Sequence, residues 1–343
     1  MAGHDFLRVY AFLSTEIDAR AIKSAIELGV IDALNGQPLS FDMLSAQRKL
    51  NPVGLRLLLN LLEVNNVVAC TEGAFELTPA FKAALSYRDL LECRIAFSDL
   101  VWPDIHNLFT PLLNDLPQFM ARSKVFALFR YDRCVEISPE NLAAASAWTR
   151  FTTCLTKYET QAVLDDLDLG SMRSLTDFGG NTGEFALQVC RRNPMIEAVV
   201  VDLPVVCALG RQHIAATATA AEAARISFFP ADMRSQALPP PADLVSFKSV
   251  LHDWPDADAV RLLERASGSV RPGGRVMIFE RGPIEVSDKR IPYSMASDLV
   301  FLHFLRPADL YVNTLKKLGF VAIEYRRIEL EMGFHFITAR LPA

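Results

Sequence analysis

The sequence predicts an α/β protein in two parts: a mainly helical amino-terminal module, then a mostly parallel β-sheet covered by helices on both faces. Three observations carry that reading. The first ~85 residues read as three helices and a small hairpin. From about residue 172, short apolar strands alternate with amphipathic helices. Between the first of those strands and its helix stands a glycine-rich turn, Asp177-Phe178-Gly179-Gly180-Asn181-Thr182-Gly183.

Phe6 to Leu34 carries apolar residues at helical spacing and ends near Gly36. Ser40 to Arg48 predicts a short helix with Ser40 as its N-cap. Asn51 to Asn65 predicts a third, with Leu55, Leu58, Leu59 and Leu62 on one face. Val67 to Cys70, a Glu72-Gly73 turn and Phe75 to Leu77 then predict two short strands. Helix, helix, helix, hairpin is a winged-helix arrangement, so a DNA-reading regulator is the first rival to an enzyme. The third helix offers Arg56 as its lone cation beside a row of leucines. A reading helix needs several polar and basic side chains for phosphates and base edges. Packing against a second copy of the chain is the better use for so apolar a module, which predicts a homodimer.

The bulk properties agree. A net charge of −5 over 343 residues, with no lysine- or arginine-rich run, argues against nucleic acid or an anionic membrane as partner. No apolar stretch reaches the ~18 residues of a membrane span, and the charged start does not read as a signal peptide. Cys70, Cys93, Cys134, Cys154, Cys190 and Cys207 form no Cys-x-x-Cys pair, which reads as reduced thiols in a cytoplasmic protein.

Residues ~90 to 165 are helical and rich in aromatics, among them Phe97, Trp102, Phe109, Phe119, Phe126, Phe129, Tyr131, Trp148, Phe151 and Tyr158. Most of these serve the core; some are expected to line an apolar substrate pocket. The expected division is therefore a dimerisation module over 1–90, a helical connector over 91–165 and a catalytic domain over 166–343. In the last, strands are expected at Ser174–Phe178, Ala198–Asp202, Ile226–Phe229, Asp243–Phe247 and Arg275–Glu280. Helices such as Gly183–Arg192 and Asp256–Ser269 intervene, and Val321–Ile328 with Phe334–Ala339 close the sheet edge.

The glycine-rich turn lets the backbone bend tightly and approach a ligand. It does not fit the 1-3-6 glycine spacing of a dinucleotide loop, because Phe178 falls at the first position. Asp177 beside it suits an amino-acid ammonium better than a pyrophosphate. Asp202, ending the second strand, can accept hydrogen bonds from both hydroxyls of a ribose. Asp232 follows the third strand, where an adenine edge would lie. The fourth strand runs into Lys248-Ser249-Val250-Leu251-His252-Asp253-Trp254-Pro255-Asp256. Residues at the carboxyl ends of such strands face the ligand crevice, which directs His252 into the site. A helix N-terminus nearby opposes an imidazolium there, whereas Asp253 and Asp256 favour it.

The Asp-x-Gly-Gly-x-x-Gly loop, the acid after the next strand, the Lys-x-x-x-His-Asp-Trp run and Pro272-Gly273-Gly274 together resemble the S-adenosylmethionine-dependent small-molecule O-methyltransferases of plant-caffeate type and of bacterial natural-product pathways. The resemblance covers nearly the whole chain, since Ala21 to Thr78 is similar to that family's winged-helix dimerisation module. It implies a class I, Rossmann-like methyltransferase domain. It implies S-adenosylmethionine as cofactor, in contact with Gly179, Asp202, Asp232, Met233 and Lys248; Asp177, Gly180, Gly183 and Leu203 complete the expected cradle. It further implies His252 as general base, Asp253 beside it and Glu280 as the carboxylate that orients it.

In one respect the chain departs from the family. The late Gly-x-Glu-Arg segment is replaced by Asp298-Leu299-Val300-Phe301-Leu302-His303-Phe304-Leu305-Arg306-Pro307-Ala308-Asp309, which reads as an apolar helix carrying His303. A second reading follows: His252, Asp253 and His303 as ligands of a divalent or trivalent metal, which would direct the methyl group to the carbon beside a 2-oxo acid's carbonyl. O-methylation of a small-molecule hydroxyl remains the leading expectation.

Overall fold

The computed structural model describes residues 4–286 and 291–343. They fall into two compact units, Met1–Ile105 with Val286–Leu299 and His106–Glu285 with Val300–Ala343.

In the first unit the expected long helix is broken into a 3₁₀ segment Asp5–Phe12 and helices Glu16–Glu27 and Val30–Gly36. The breaks have local causes. Thr15 and Asp18 form a reciprocal capping box that starts a new helix, and Gly29 takes a left-handed conformation (φ 69°) between the next two. Helix Phe41–Arg48 begins at Ser40, whose hydroxyl accepts from the Met43 N–H at 3.3 Å. Helix Pro52–Val64 begins at Asn51 and buries Leu55, Leu58, Leu59 and Leu62. A two-residue strand β1 (Leu39–Ser40), unforeseen in the sequence, joins β2 (Val68–Thr71) and β3 (Ala74–Leu77) in the order β1-β3-β2. The hairpin turns on Glu72 and Gly73, both at positive φ as its tight bend requires. Tyr293 and Ser294 return to this unit by bonding the Ser14 and Leu13 carbonyls, and Asp298 pairs with buried Arg94 at 3.0 Å.

The second unit is built on a seven-stranded sheet: β4 (Ser174–Phe178), β5 (Glu197–Asp202), β6 (Ile226–Pro230), β7 (Ala242–Lys248), β8 (Val270–Arg281), β9 (Val321–Glu329) and β10 (Gly333–Arg340). Its order is β6-β5-β4-β7-β8-β10-β9. Pairings through β8 are parallel; β10 runs antiparallel to both β8 and β9. Central strands are buried over nearly their whole length, as expected where helices cover both faces. Phe178 and Phe247 stack at 5.4 Å within a core that includes Val245, Leu262, Leu263, Ile278, Tyr311 and Leu315. The chain leaves β4 towards β5 and leaves its neighbour β7 towards β8, so the connections from these adjacent strands run in opposite directions, the arrangement that opens a crevice at their carboxyl ends. The Gly-rich turn, Asp202, Lys248 and Glu280 all lie at that edge.

The segment expected to be an apolar helix around His303 is not one. It is a 3₁₀ stretch Ser297–Phe301 followed by turns, and the next helix begins only at Asp309. Among the described residues no helix is long and apolar enough to cross a membrane, and no disulfide joins any of the cysteines.

Candidate active site

The bend after β4 is shaped by its own neighbours. Gly179 takes φ 63°, and a Cβ there would stand 2.8 Å from the Val250 methyls. A Cβ at Gly180 would collide with the Asp177 carboxylate and approach Val200 at 2.9 Å. Gly183 (φ 80°) caps helix Glu184–Arg192, with Phe228 against it. The glycines thus permit close approach to protein atoms. Asp177 lies beneath the bend, fully buried, with Oδ1 accepting from the Ser246 hydroxyl at 2.6 Å. Burial raises its pKa to about 7, against the pull of that bond. Sequence reasoning presented Asp177 to a ligand ammonium; the fold places it under the turn as a support.

Asp202 ends β5 and ties the turn to the next helix. Its Oδ2 accepts from the Asn181 N–H at 2.9 Å and its Oδ1 from the Leu203 N–H at 2.7 Å. Each oxygen keeps a further lone pair for a ligand hydroxyl. Burial raises its pKa to about 6, and the two N–H bonds oppose that rise.

Asp232 and Lys248 are already engaged. Arg234 grips Asp232 through Nε (2.9 Å) and Nη2 (2.8 Å) and lays its guanidinium over the Trp254 ring at 4.4 Å. The acid expected at an adenine edge is therefore covered by a cation that sequence reasoning missed. Met233 packs on the core and its carbonyl accepts from Arg265. Lys248 is buried, with its ammonium on Glu159 and on the Thr156 hydroxyl at 3.1 Å; Glu159 also binds Arg281. A ladder of threonines on helix Pro139–Glu159 adjoins the turn: Thr153 meets Thr182 at 2.6 Å, and Thr152 accepts from the Asn181 amide. Their spacing (149, 152, 153, 156, 160) forms one polar helical stripe, a signal present in the sequence.

His252 sits on the 3₁₀ turn Leu251–Asp253 that follows β7. Its Nδ1 lies 2.6 Å from Glu280 Oε2, while Glu280 Oε1 accepts from the Val250 and Leu251 N–H groups at 2.7 and 2.6 Å. Glu280 is fully buried. Burial works against its charge, yet the His252 ring and the two N–H donors hold it below the usual carboxylate range. An ionised carboxylate only accepts, so Nδ1 carries the proton and Nε2 faces away from Glu280. Burial likewise opposes a charged ring, but Glu280 and Asp253 outweigh it and raise His252 above 6.5. The carboxylates win over the helix N-terminus, which begins only at Asp256; Asp256 itself turns to Arg306 at 3.1 Å.

His303 does not join this group. Phe301 and Phe304 turn inward onto Phe126, with centroids 6.0 and 5.2 Å away. That directs the intervening His303 outward, where it is exposed and its Nε2 meets the Leu112 carbonyl at 2.5 Å. Among the described residues no three His, Cys, Asp or Glu side chains gather as metal ligands would. The expected His252–Asp253–His303 ligand set is thus not assembled, and the metal-assisted reading loses its basis.

Comparison with known proteins decides the family. The model of the O-methyltransferase domain matches residues 142–320, and that of the O-methyltransferase dimerisation domain matches residues 12–86. This chain belongs to the O-methyltransferase family. Over 119 residues, 34% of this chain and 30% of the relative, it is 40% identical to the acetylserotonin O-methyltransferase of Mus musculus. It is 36% identical over 114 residues to the 3-hydroxy-5-methyl-1-naphthoate 3-O-methyltransferase of Streptomyces sahachiroi, covering 33% of this chain and 32% of that one. These matched segments span about a third of each curated relative's length. Among solved structures, the mitomycin 7-O-methyltransferase MmcR has the same fold, with a TM-score of 0.70, 21% identity and 94% of each chain covered.

Proposed function

We propose that this chain is an S-adenosylmethionine-dependent methyltransferase that methylates a hydroxyl of a small aromatic acceptor, with His252 as general base. The observation that carries the reading is the imidazole gripped at Nδ1 by buried Glu280, at the carboxyl edge of the sheet where Asp202 also lies. The residues present suit the cofactor: Asp202 offers free lone pairs for ribose hydroxyls, and Asn181 Oδ1 is buried beside it without a hydrogen-bond partner. When bound, that cofactor supplies an electrophilic methyl carbon on a sulfonium. What remains for the protein is alignment and proton removal. A phenol of pKa about 10 is mostly protonated at neutral pH, so a neutral imidazole at hydrogen-bond distance accelerates attack by roughly 10²–10⁴-fold. Glu280 then stabilises the imidazolium that forms. The aromatic group Phe129, Tyr131, Trp148 and Trp254, with centroid separations of 5.8 Å, suits a flat acceptor. Transfer of labelled methyl from the cofactor to a panel of phenols tests the reading; no transfer to any hydroxyl acceptor overturns it.

Asp202→Ala should weaken cofactor binding about tenfold or more, through loss of charge-assisted bonds to the ribose. Calorimetry with S-adenosylhomocysteine checks this, and unchanged affinity removes Asp202 from the cradle.

The proposed assembly is a homodimer formed through the amino-terminal 90 residues. Helix Pro52–Val64 leaves Val53, Leu57 and Val64 80%, 62% and 88% exposed on the side opposite its buried leucines. This apolar stripe lies inside the matched dimerisation domain and suits the same stripe on a second copy. Leu57→Glu should shift the chain to monomer in light scattering; a variant that stays dimeric places the interface elsewhere.

A further inference from the structure

The general-base reading uses the ring of Tyr131 but assigns no part to its hydroxyl, which is firmly placed. Tyr131 opens the 3₁₀ turn Tyr131–Cys134, with its ring against Trp148 and Trp254. The hydroxyl donates to Asp253 Oδ2 at 2.9 Å. The other oxygen of that carboxylate, Oδ1, stands 3.4 Å from His252 Nε2, the ring nitrogen that Glu280 leaves free. Tyr131, Asp253 and His252 therefore form a chain that ends on the atom where a substrate proton must arrive.

We propose that Tyr131 is a positioning residue whose hydroxyl anchors the Asp253 carboxylate at a distance from His252 Nε2, keeping that nitrogen open to an acceptor hydroxyl. The proposal rests on the reading of His252 as the base.

Charge-assisted N–H···O bonds settle near 2.7–2.9 Å, so the 3.4 Å separation marks an electrostatic neighbour held short of a full bond. A carboxylate freed from Tyr131 closes on the Nε2–H of the imidazolium. That stabilises the charged ring and sets Asp253 in the acceptor's place. The other groups around the pair are fixed by the fold. His252 faces Glu280 and Arg281 from β8, as well as Asp253. Asp253 also feels Arg306, and its charge reaches Asp202 at the end of β5 and Tyr311 on helix Asp309–Lys317. Tyr131 itself stays a neutral donor at working pH, because burial and then the Asp253 charge raise it well above 10.

Tyr131→Phe keeps both ring contacts and removes the hydroxyl alone. Following the His252 ring by NMR through a pH titration of the cofactor-free protein, we expect its apparent pKa to rise by about one unit in the variant, a tenfold change in the protonation equilibrium. In an Asp253→Asn background the same substitution should produce no shift, since the chain is already cut. The acid limb of kcat/KM should move up with the ring: roughly tenfold slower turnover below the limb, converging on the parent rate at high pH. A His252 titration that stays still or moves down in Tyr131→Phe overturns the proposal, as does an equal shift in the Asp253→Asn background. The titration needs no turnover. A parent protein that transfers no methyl group would sink the function and still leave Tyr131 decided by the ring's pKa.

Discussion

His252→Ala is expected to lower turnover at least about 10²-fold while leaving cofactor affinity nearly unchanged. The separation follows from the layout. The imidazole bonds Glu280 and neighbours Asp253, whereas Asp202, proposed for the cofactor, is held by the N–H groups of Asn181 and Leu203. Removing the ring therefore leaves the cradle's bonds in place. The parent's pH dependence has a definite expected sign as well. A general base works as the neutral imidazole, and His252 lies above 6.5 because Glu280 and Asp253 outweigh its burial. Activity should fall as pH drops through that raised value, giving kcat/KM an acid limb above 6.5 that vanishes in the variant. Stopped-assay kinetics across pH, paired with calorimetry on S-adenosylhomocysteine, reads both. Parent-like turnover in His252→Ala would take the imidazole out of the reaction.

The mostly parallel sheet and the place of His252 just after its fourth strand could be read from the chain because each rests on local regularity. Alternating apolar strands and amphipathic helices encode a parallel sheet, and a motif ending a strand must lie at the crevice. What escaped sequence reasoning depends on partners far apart in the chain. Lys248 reads as a ligand-facing cation until Glu159 arrives from 89 positions away; Asp232 is the exception, since the Arg234 that folds back on it stands only two positions on. His303 was misplaced for a different reason: the inward turn of Phe301 and Phe304 breaks the helical period that its apolar neighbours imitate. The hydroxyl of Tyr131 left no trace at all, since one tyrosine among many aromatics carries no sign of the carboxylate it meets 122 positions later.

Glu280→Gln is the other substitution with a large expected effect, and it isolates orientation from shape. In the parent, one carboxylate accepts three N–H groups: Val250 and Leu251 at one oxygen, His252 Nδ1 at the other. Glutamine has the same outline but one acceptor and one NH₂ donor. If its oxygen keeps the two backbone donors, its NH₂ faces Nδ1. The neutral ring must then carry its proton on Nε2, where the base needs a lone pair. If the amide flips, its NH₂ confronts two N–H groups with no acceptor between them, at a cost of about 1–3 kcal/mol for each donor left unsatisfied. Relief of that conflict favours the first arrangement, so the substitution should trap the wrong tautomer in a folded protein. Turnover is expected to drop by roughly 10²–10⁴-fold, the range of general-base catalysis. Ring ¹⁵N shifts should report Nε2–H in the variant and Nδ1–H in the parent. An active variant whose ring still shows Nδ1–H would mean that Glu280 braces the backbone turn alone and that His252 is oriented by something else.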